Sequence, residues 1–430
     1  MARNVFVSFL GTNNYLETYY DFQGDISPRP VRFIQEALVE ILCGQWTQKD
    51  KILIFCTALS KKKNWIDNGQ EDTEVEGLSS RLKRMNLPVQ TEMVEIKEGF
   101  SEEDIWSIFN SVYDKLEKDD NIIFDVTHAF RSIPMFSAIL FNYAHYLKGT
   151  NLKAVYYGAF EKLGPTYEVS RIPVENRIAP IIDLTSIICL QELSSAANNL
   201  HLYGKMTAVS NLISIVKGKG KDQQEMDRIK KKMMGFDLAI STCKMDDIKH
   251  GELIHELQTL VESVKESKHL TNAHKKLIVK VQTEISVFKP YDTYENVEAA
   301  IHWARKYGMI QQAYTLAEEM TISRVQDLIV PGCKLLQREK NKTCREFISV
   351  LLSLDIKMKE YKNERIELKK LFYQLLEHPV IKALRPYYGG LSGDRNIINH
   401  AKKSDKDLIA QFDKNYHNIK EILSNVPQPL

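Results

Sequence analysis

The stretch GGLSGDRNIINH, residues 389–400, gathers an arginine, an asparagine and a histidine within six positions. An imidazole titrates near neutral pH, so His400 can take up or give a proton. Arg395 carries a permanent charge that can neutralise an oxyanion or a phosphate. Asn396 can orient a neighbouring group by hydrogen bonding. GGLSGD is turn chemistry, and Ser392 or Asp394 is placed to cap a helix that starts there. Arg395 then falls in the first turn, where free backbone N–H groups and the helix dipole favour a phosphate. Asn396 and His400 are four apart and share a helix face, whereas Arg395 lies about 140° round from His400. One helix need not aim both groups at one atom, and a second copy facing it can complete the site. The bland alternative is a solvated helix face.

A second group lies near the N-terminus, at the ends of strand-like runs. VFVSFL is followed by Gly11, Thr12 and Asn13. NIIF is followed by DVTHAFRSIP, in which Thr127, His128, Arg131 and Ser132 lead into an amphipathic helix. KILIFC leads to Thr57 and then to Lys61, Lys62, Lys63 and Trp65, and LKAV leads to Tyr156, Tyr157 and Gly158. In open parallel sheets, ligands bind beyond the carboxyl ends of the strands. Hydroxyls, a helix N-terminus, cations and aromatic rings there suit a ligand with phosphates and bases. GTNNY alone reads as a plain strand-to-loop turn. DVTHAFRSIP reads as a binding segment, because aspartate, threonine, histidine and arginine together are poor core material. There is no GxxxxGK[ST] and no GxGxxG, which weighs against an NTPase or an ordinary dehydrogenase.

These residues need elements to hold them. NVFVSFLG, KILIFCTAL, QTEMVEI, NIIFDVTHAF and LKAVYYGAF read as strands, and VRFIQEALVEILCGQW and EEDIWSIFNSVYDKLEK between them as amphipathic helices. The alternation predicts a parallel α/β sheet covered on both faces. After about Pro180 the pattern predicts helices alone, with no further strand. The basic stretch 217–232 reads as a solvated loop and helix start, and KPYDTYE as a joint where Asp292 or Thr293 caps a long helix running to Ile329. The 430 residues allow two or three full domains, and a formal net charge of +2 leaves nucleic-acid binding to local patches. The six cysteines contain no CxxC and read as reduced thiols, which predicts a cytoplasmic protein. No signal-peptide layout and no apolar run of about 18 residues is present, so no membrane span is expected.

VFVSFLGTNNY followed by FDVTHAFRSIP resembles the CARF domain, the Rossmann-like ligand sensor of type III CRISPR systems, over residues 1–180. RNIINH resembles the motif of the HEPN ribonucleases: arginine, four to six residues, then histidine. The resemblance implies an α/β Rossmann-like sensor (1–180) and an all-α HEPN bundle (291–430), while the middle region (181–290) carries no sharp motif and either extends a neighbour or forms a separate helical linker. It implies that Gly11, Thr12, Asn13, Thr127, His128 and Arg131 line a pocket for a cyclic oligoadenylate, by expectation cyclic tetra-adenylate, shared across a homodimer or a higher oligomer of dimers. The implied reaction is metal-independent cleavage of single-stranded RNA, with no cofactor. Arg395, Asn396 and His400 would be catalytic, and the products would carry a 2′,3′-cyclic phosphate and a 5′-hydroxyl. Two other readings stay open: a CARF-type regulator that binds DNA, and a sensor that cleaves its own ring ligand.

Overall fold

A computed structural model describes residues 2–70, 73–128, 133–207, 221–265, 271–353 and 365–426. The chain forms two compact units, Met1–Cys189 and Leu190–Leu430. The first is an α/β unit and the second is built of helices.

The α/β unit is organised by five parallel strands. They are β1 (Asn4–Leu10), β4 (Lys51–Thr57), β7 (Gln90–Ile96), β8 (Asn121–Asp125) and β9 (Asn151–Gly158). Their spatial order is β9-β8-β1-β4-β7, so the chain winds outward from β1 one way and then returns to wind the other. β1 and β4 are buried along almost their whole length, as their unbroken apolar sequences require of strands covered on both sides. Successive residues serve opposite faces. Phe6, Leu10, Ile52 and Ile54 pack with Ile34, Ala37 and Leu38 of α1 (Ile34–Cys43) and with α2 (Leu78–Arg84). Val5, Val7, Leu53 and Phe55 pack with Ile108 and Val112 of α3 (Glu102–Lys115) and with Leu140 and Ala144 of α4 (Ile133–Lys148).

The sheet does not stop at β9. Strand β10 (Ile178–Asp183) pairs antiparallel with β9, β2 (Tyr19–Phe22) lies parallel to β10, and β3 (Asp25–Ile26) closes the edge as a hairpin with β2. The expectation of helices alone beyond Pro180 is therefore corrected: β10 continues through Pro180 to Asp183. Its short run, IAPIID, is interrupted by Pro180, which has no backbone donor, and pairing with β9 and β2 makes the strand. A separate hairpin joins β5 (Asn68–Gln70) to β6 (Thr73–Val75).

Helix α5 (Thr185–Tyr203) leads into the helical unit. There follow α6 (Lys221–Ser241), α7 (Met245–His250), α8 (Glu252–Lys265), α9 (Asn272–Ile285), α10 (Tyr294–Lys306), α11 (Ile310–Ile329), α12 (Asn341–Ser353), α13 (Ile366–Leu376), α14 (Pro379–Asn399) and α15 (Leu408–Ser424). One apolar cluster runs from Leu193 on α5 to Leu423 on α15. The basic helix α6 belongs to it through Ile229, Met233 and Phe236, and Lys232 pairs with Glu256. Thr293 caps α10 as expected, accepting from the Glu295 N–H at 3.2 Å. The long helix expected to follow is two helices, broken where Gly308 takes φ +72°.

Candidate functional site

Two places in the fold collect the residues singled out by type and spacing. The first lies at the carboxyl ends of β1 and β8, the neighbouring strands between which the winding reverses. That topological switch point is where an open α/β sheet leaves a crevice. Gly11 follows β1, and Thr127 and His128 follow β8. The two segments touch: a Cβ placed on Gly11 would lie 3.4 Å from the His128 Cβ. The same Cβ would stand 2.3 Å from the Tyr15 hydroxyl, so here the missing side chain makes room for Tyr15. The Tyr15 and His128 rings are 4.5 Å apart, and the buried Tyr15 hydroxyl lies against the Gly11 and Asn13 backbone.

A buried polar frame supports this corner. Asp125, at 0% exposure, accepts from Ser8 Oγ at 2.7 Å, from the Thr127 N–H at 3.0 Å and from Thr127 Oγ1 at 2.6 Å. Burial pushes the Asp125 carboxyl up, and these three donors oppose that rise. Thr127 Oγ1 also accepts from the Gly158 N–H at 2.8 Å, so this hydroxyl ties β8 to β9. Gln35 of α1 donates to Ser8 Oγ at 3.0 Å and to the Phe9 carbonyl at 3.1 Å. The His128 pKa falls to about 4, because burial penalises its charged form. At neutral pH this ring offers one donor and one acceptor rather than a positive charge.

The turn after β4 closes the corner from the other side. Thr57 accepts from the Ser60 N–H, and one π-helical turn, Lys61–Trp65, follows. Asn64, 2% exposed, donates from its amide to the Gly11 carbonyl at 2.9 Å and to the Asn13 carbonyl at 3.0 Å. Lys61 pairs with Glu95 at 2.7 Å, Trp65 packs against the core, and Lys62 and Lys63 are exposed. Gly11, Thr12, Asn13, Thr127 and His128 are thus gathered around one strand-end corner. Thr12 is half-buried and Asn13 exposed. Arg131 lies outside the described residues. Tyr156 is core, while Tyr157 bonds to Glu161.

The second place is the far end of α14, and here the expectation from sequence is corrected. GGLSGD is helical throughout. The helix begins at Pro379 with His378 as its cap, so neither Ser392 nor Asp394 caps anything. Glycines cost a helix roughly 1 kcal/mol each relative to alanine, and packing overrides that cost. Ile381, Leu384, Tyr388 and Leu391 are buried, and a Cβ on Gly390 would come within 2.6 Å of the Asn415 side chain on α15. Asp394, 2% exposed, pairs with Lys406 at 3.2 Å. Arg395 is therefore near the carboxyl end of its helix, where the dipole opposes an anion. Any phosphate here must be held by side-chain cations.

Arg395 diverges from the other two motif residues. Arg395 faces α11, with Nη1 2.7 Å from Oε2 of Glu318, and its side chain is 24% exposed. Asn396 and His400 are exposed. His400 ends the helix, its N–H bonded to the Asn396 carbonyl at 3.1 Å. The Ala401 N–H then bonds to the Ile398 carbonyl at 3.1 Å and the Lys402 N–H to the Ile397 carbonyl at 2.9 Å, a Schellman arrangement. Lys402 and Lys403 follow, exposed and with no ion-pair partner among the described residues.

No protein-family model matches the chain. It is similar to a CRISPR-associated protein. The relative is CRISPR-associated protein MJ1674 of Methanocaldococcus jannaschii, 25% identical over 236 residues, covering 46% of this chain and 35% of that protein. The chain spans about a third of the length of that curated relative.

Sequence reasoning missed three residues that shape these places. Tyr15 and Asn64 sit in segments where only neighbours stood out. Glu318 hides inside an ordinary amphipathic helix, although it falls four residues after the buried Tyr314 and seven before the buried Val325. An acid on the inward face of a helix is the signal that finds it.

Proposed function

We propose that this protein is a cyclic-oligoadenylate-activated endoribonuclease that cleaves single-stranded RNA, without a metal, in type III CRISPR antiviral defence. The observation that carries the reading is the pairing of two places in one chain. Gly11–Asn13 and Thr127–His128 meet at a sheet's switch point, and a helical unit follows whose exposed helix end carries Asn396 and His400 beside Arg395. Similarity to a CRISPR-associated protein supports the same context.

RNA supplies its own nucleophile, the 2′-hydroxyl. His400, exposed at the end of α14, is free to move a proton to or from it or the leaving 5′-oxygen. Arg395 offers charge to the phosphate, and Asn396, four residues before His400, offers an amide on the same face. Because Arg395 turns to α11 while His400 turns to solvent, one copy presents half a site, and a homodimer completes it. The switch-point corner is the sensor. Ring binding there favours the arrangement of paired helical units that cuts. Cyclic tetra-adenylate is the expected activator.

The test is direct. Purified protein is incubated with cyclic tetra- or hexa-adenylate and a fluorescent RNA reporter, with and without EDTA. Ring-dependent cleavage that persists in EDTA supports the reading. DNA binding without RNA cleavage refutes it in favour of a regulator, and loss of the ring without loss of RNA refutes it in favour of a ring-cleaving sensor.

A further inference from the structure

We propose that Glu318 is a positioning residue for Arg395, fixing the guanidinium and setting how much of its charge is free for an RNA phosphate; this rests on the nuclease reading above. Glu318 projects from the middle of α11 and its side chain is 5% exposed. It is held in place independently of the arginine. Tyr388 Oη donates to its Oε1 at 3.2 Å, Ser349 Oγ lies 3.4 Å from Tyr388 Oη, and Ser392 bonds to the same carboxylate. Burial pushes the Glu318 carboxyl up and the Arg395 charge pulls it back.

The pair is close but poorly satisfied. Nη1 and Oε2 are 2.7 Å apart, yet among the described residues Oε2 receives no aligned hydrogen bond and the buried Arg395 Nε has no hydrogen-bond partner. A pair serving only the core would be joined through both edges of the fork or replaced by apolar groups, because half-satisfied buried charges cost stability. Such sites persist where function requires them. A carboxylate against one edge of Arg395 cancels much of its field while orienting its plane. An incoming phosphate then meets a guanidinium that is already fixed.

Three variants test this through steady-state RNA cleavage at saturating activator: Glu318→Gln, Arg395→Ala and the two combined. Glu318→Gln keeps the shape and the bond from Tyr388. Its kcat is expected to fall by about tenfold or more with KM within about threefold. In the Arg395→Ala background it should cost nothing further, because it acts through the arginine. Glu318→Asp should recover part of kcat. If Glu318→Gln does not fold, Glu318→Asp replaces it, with kcat expected between wild type and Arg395→Ala. Wild-type kcat for that variant overturns the proposal. If Arg395→Ala keeps full kcat, the nuclease role of Arg395 falls and the positioning role with it. If Arg395→Ala loses activity while Glu318→Gln keeps it, or if the two losses multiply, the positioning proposal alone is overturned.

Discussion

His128 shows how far a single environment can move a side chain. Its ring lies against Tyr15 at the strand-end corner, and burial holds its pKa at about 4 against an ordinary 6.5. Between those values the unfolded chain binds more protons than the folded one, so stability is full above pH 6.5 and is lost as pH falls towards 4. A His128→Gln variant cannot titrate there. Thermal midpoints measured from pH 7 to pH 4 should therefore fall more steeply for wild type than for the variant; parallel curves would mean the ring is not buried as described. His400 is the opposite case in placement, exposed at the end of α14. His400→Ala should leave the melting temperature unchanged and lower ring-activated cleavage by about 100-fold or more. Ring binding measured by calorimetry should stay intact. A folded His400→Ala protein with full activity would remove this residue from the mechanism.

Elements decide which of these residues could be recognised from sequence. The five parallel strands were legible because a strand buried on both faces must be apolar almost without interruption, as NVFVSFL and KILIFCT are. β2, β3 and β10 were not legible, since β2 and β3 are very short, and the apolar run of β10 is interrupted by Pro180, so pairing decides these strands. The glycines of GGLSGD concealed the helix, although the spacing of Ile381, Leu384, Tyr388 and Leu391 carries its period. The end of that helix has its own cost. Ala401 sits at φ +48° in the position where a Schellman turn favours glycine. Ala401→Gly should stabilise the protein by about 1 kcal/mol by relieving the left-handed conformation. The check is a higher urea midpoint with an unchanged slope, and an unchanged midpoint would show that the residue bears no strain.

At the scale of the whole molecule, the proposed function asks for a second copy at both places. A ring with rotational symmetry fits a pocket on a two-fold axis, where the same Gly11–Asn13 and Thr127–His128 segments approach from each side. At the end of α14, Arg395 turns inward to Glu318 and His400 outward to solvent, so the proposed RNA cleavage would draw groups from two chains around one phosphate. The prediction is a homodimer, sensor against sensor and nuclease against nuclease, binding one ring. Mixing wild-type protein with excess His400→Ala protein tests it, once subunit exchange is verified by differently tagged chains. If the active site is composite, heterodimers are nearly inactive and the rate follows the fraction of wild-type homodimer, which falls as the square of the wild-type share. A rate that falls in simple proportion to the wild-type share would mean that each chain cuts alone. His400 would then keep its role, but the divergence of Arg395 and His400 around α14 would have to be resolved within one copy, by a movement of Arg395 away from Glu318.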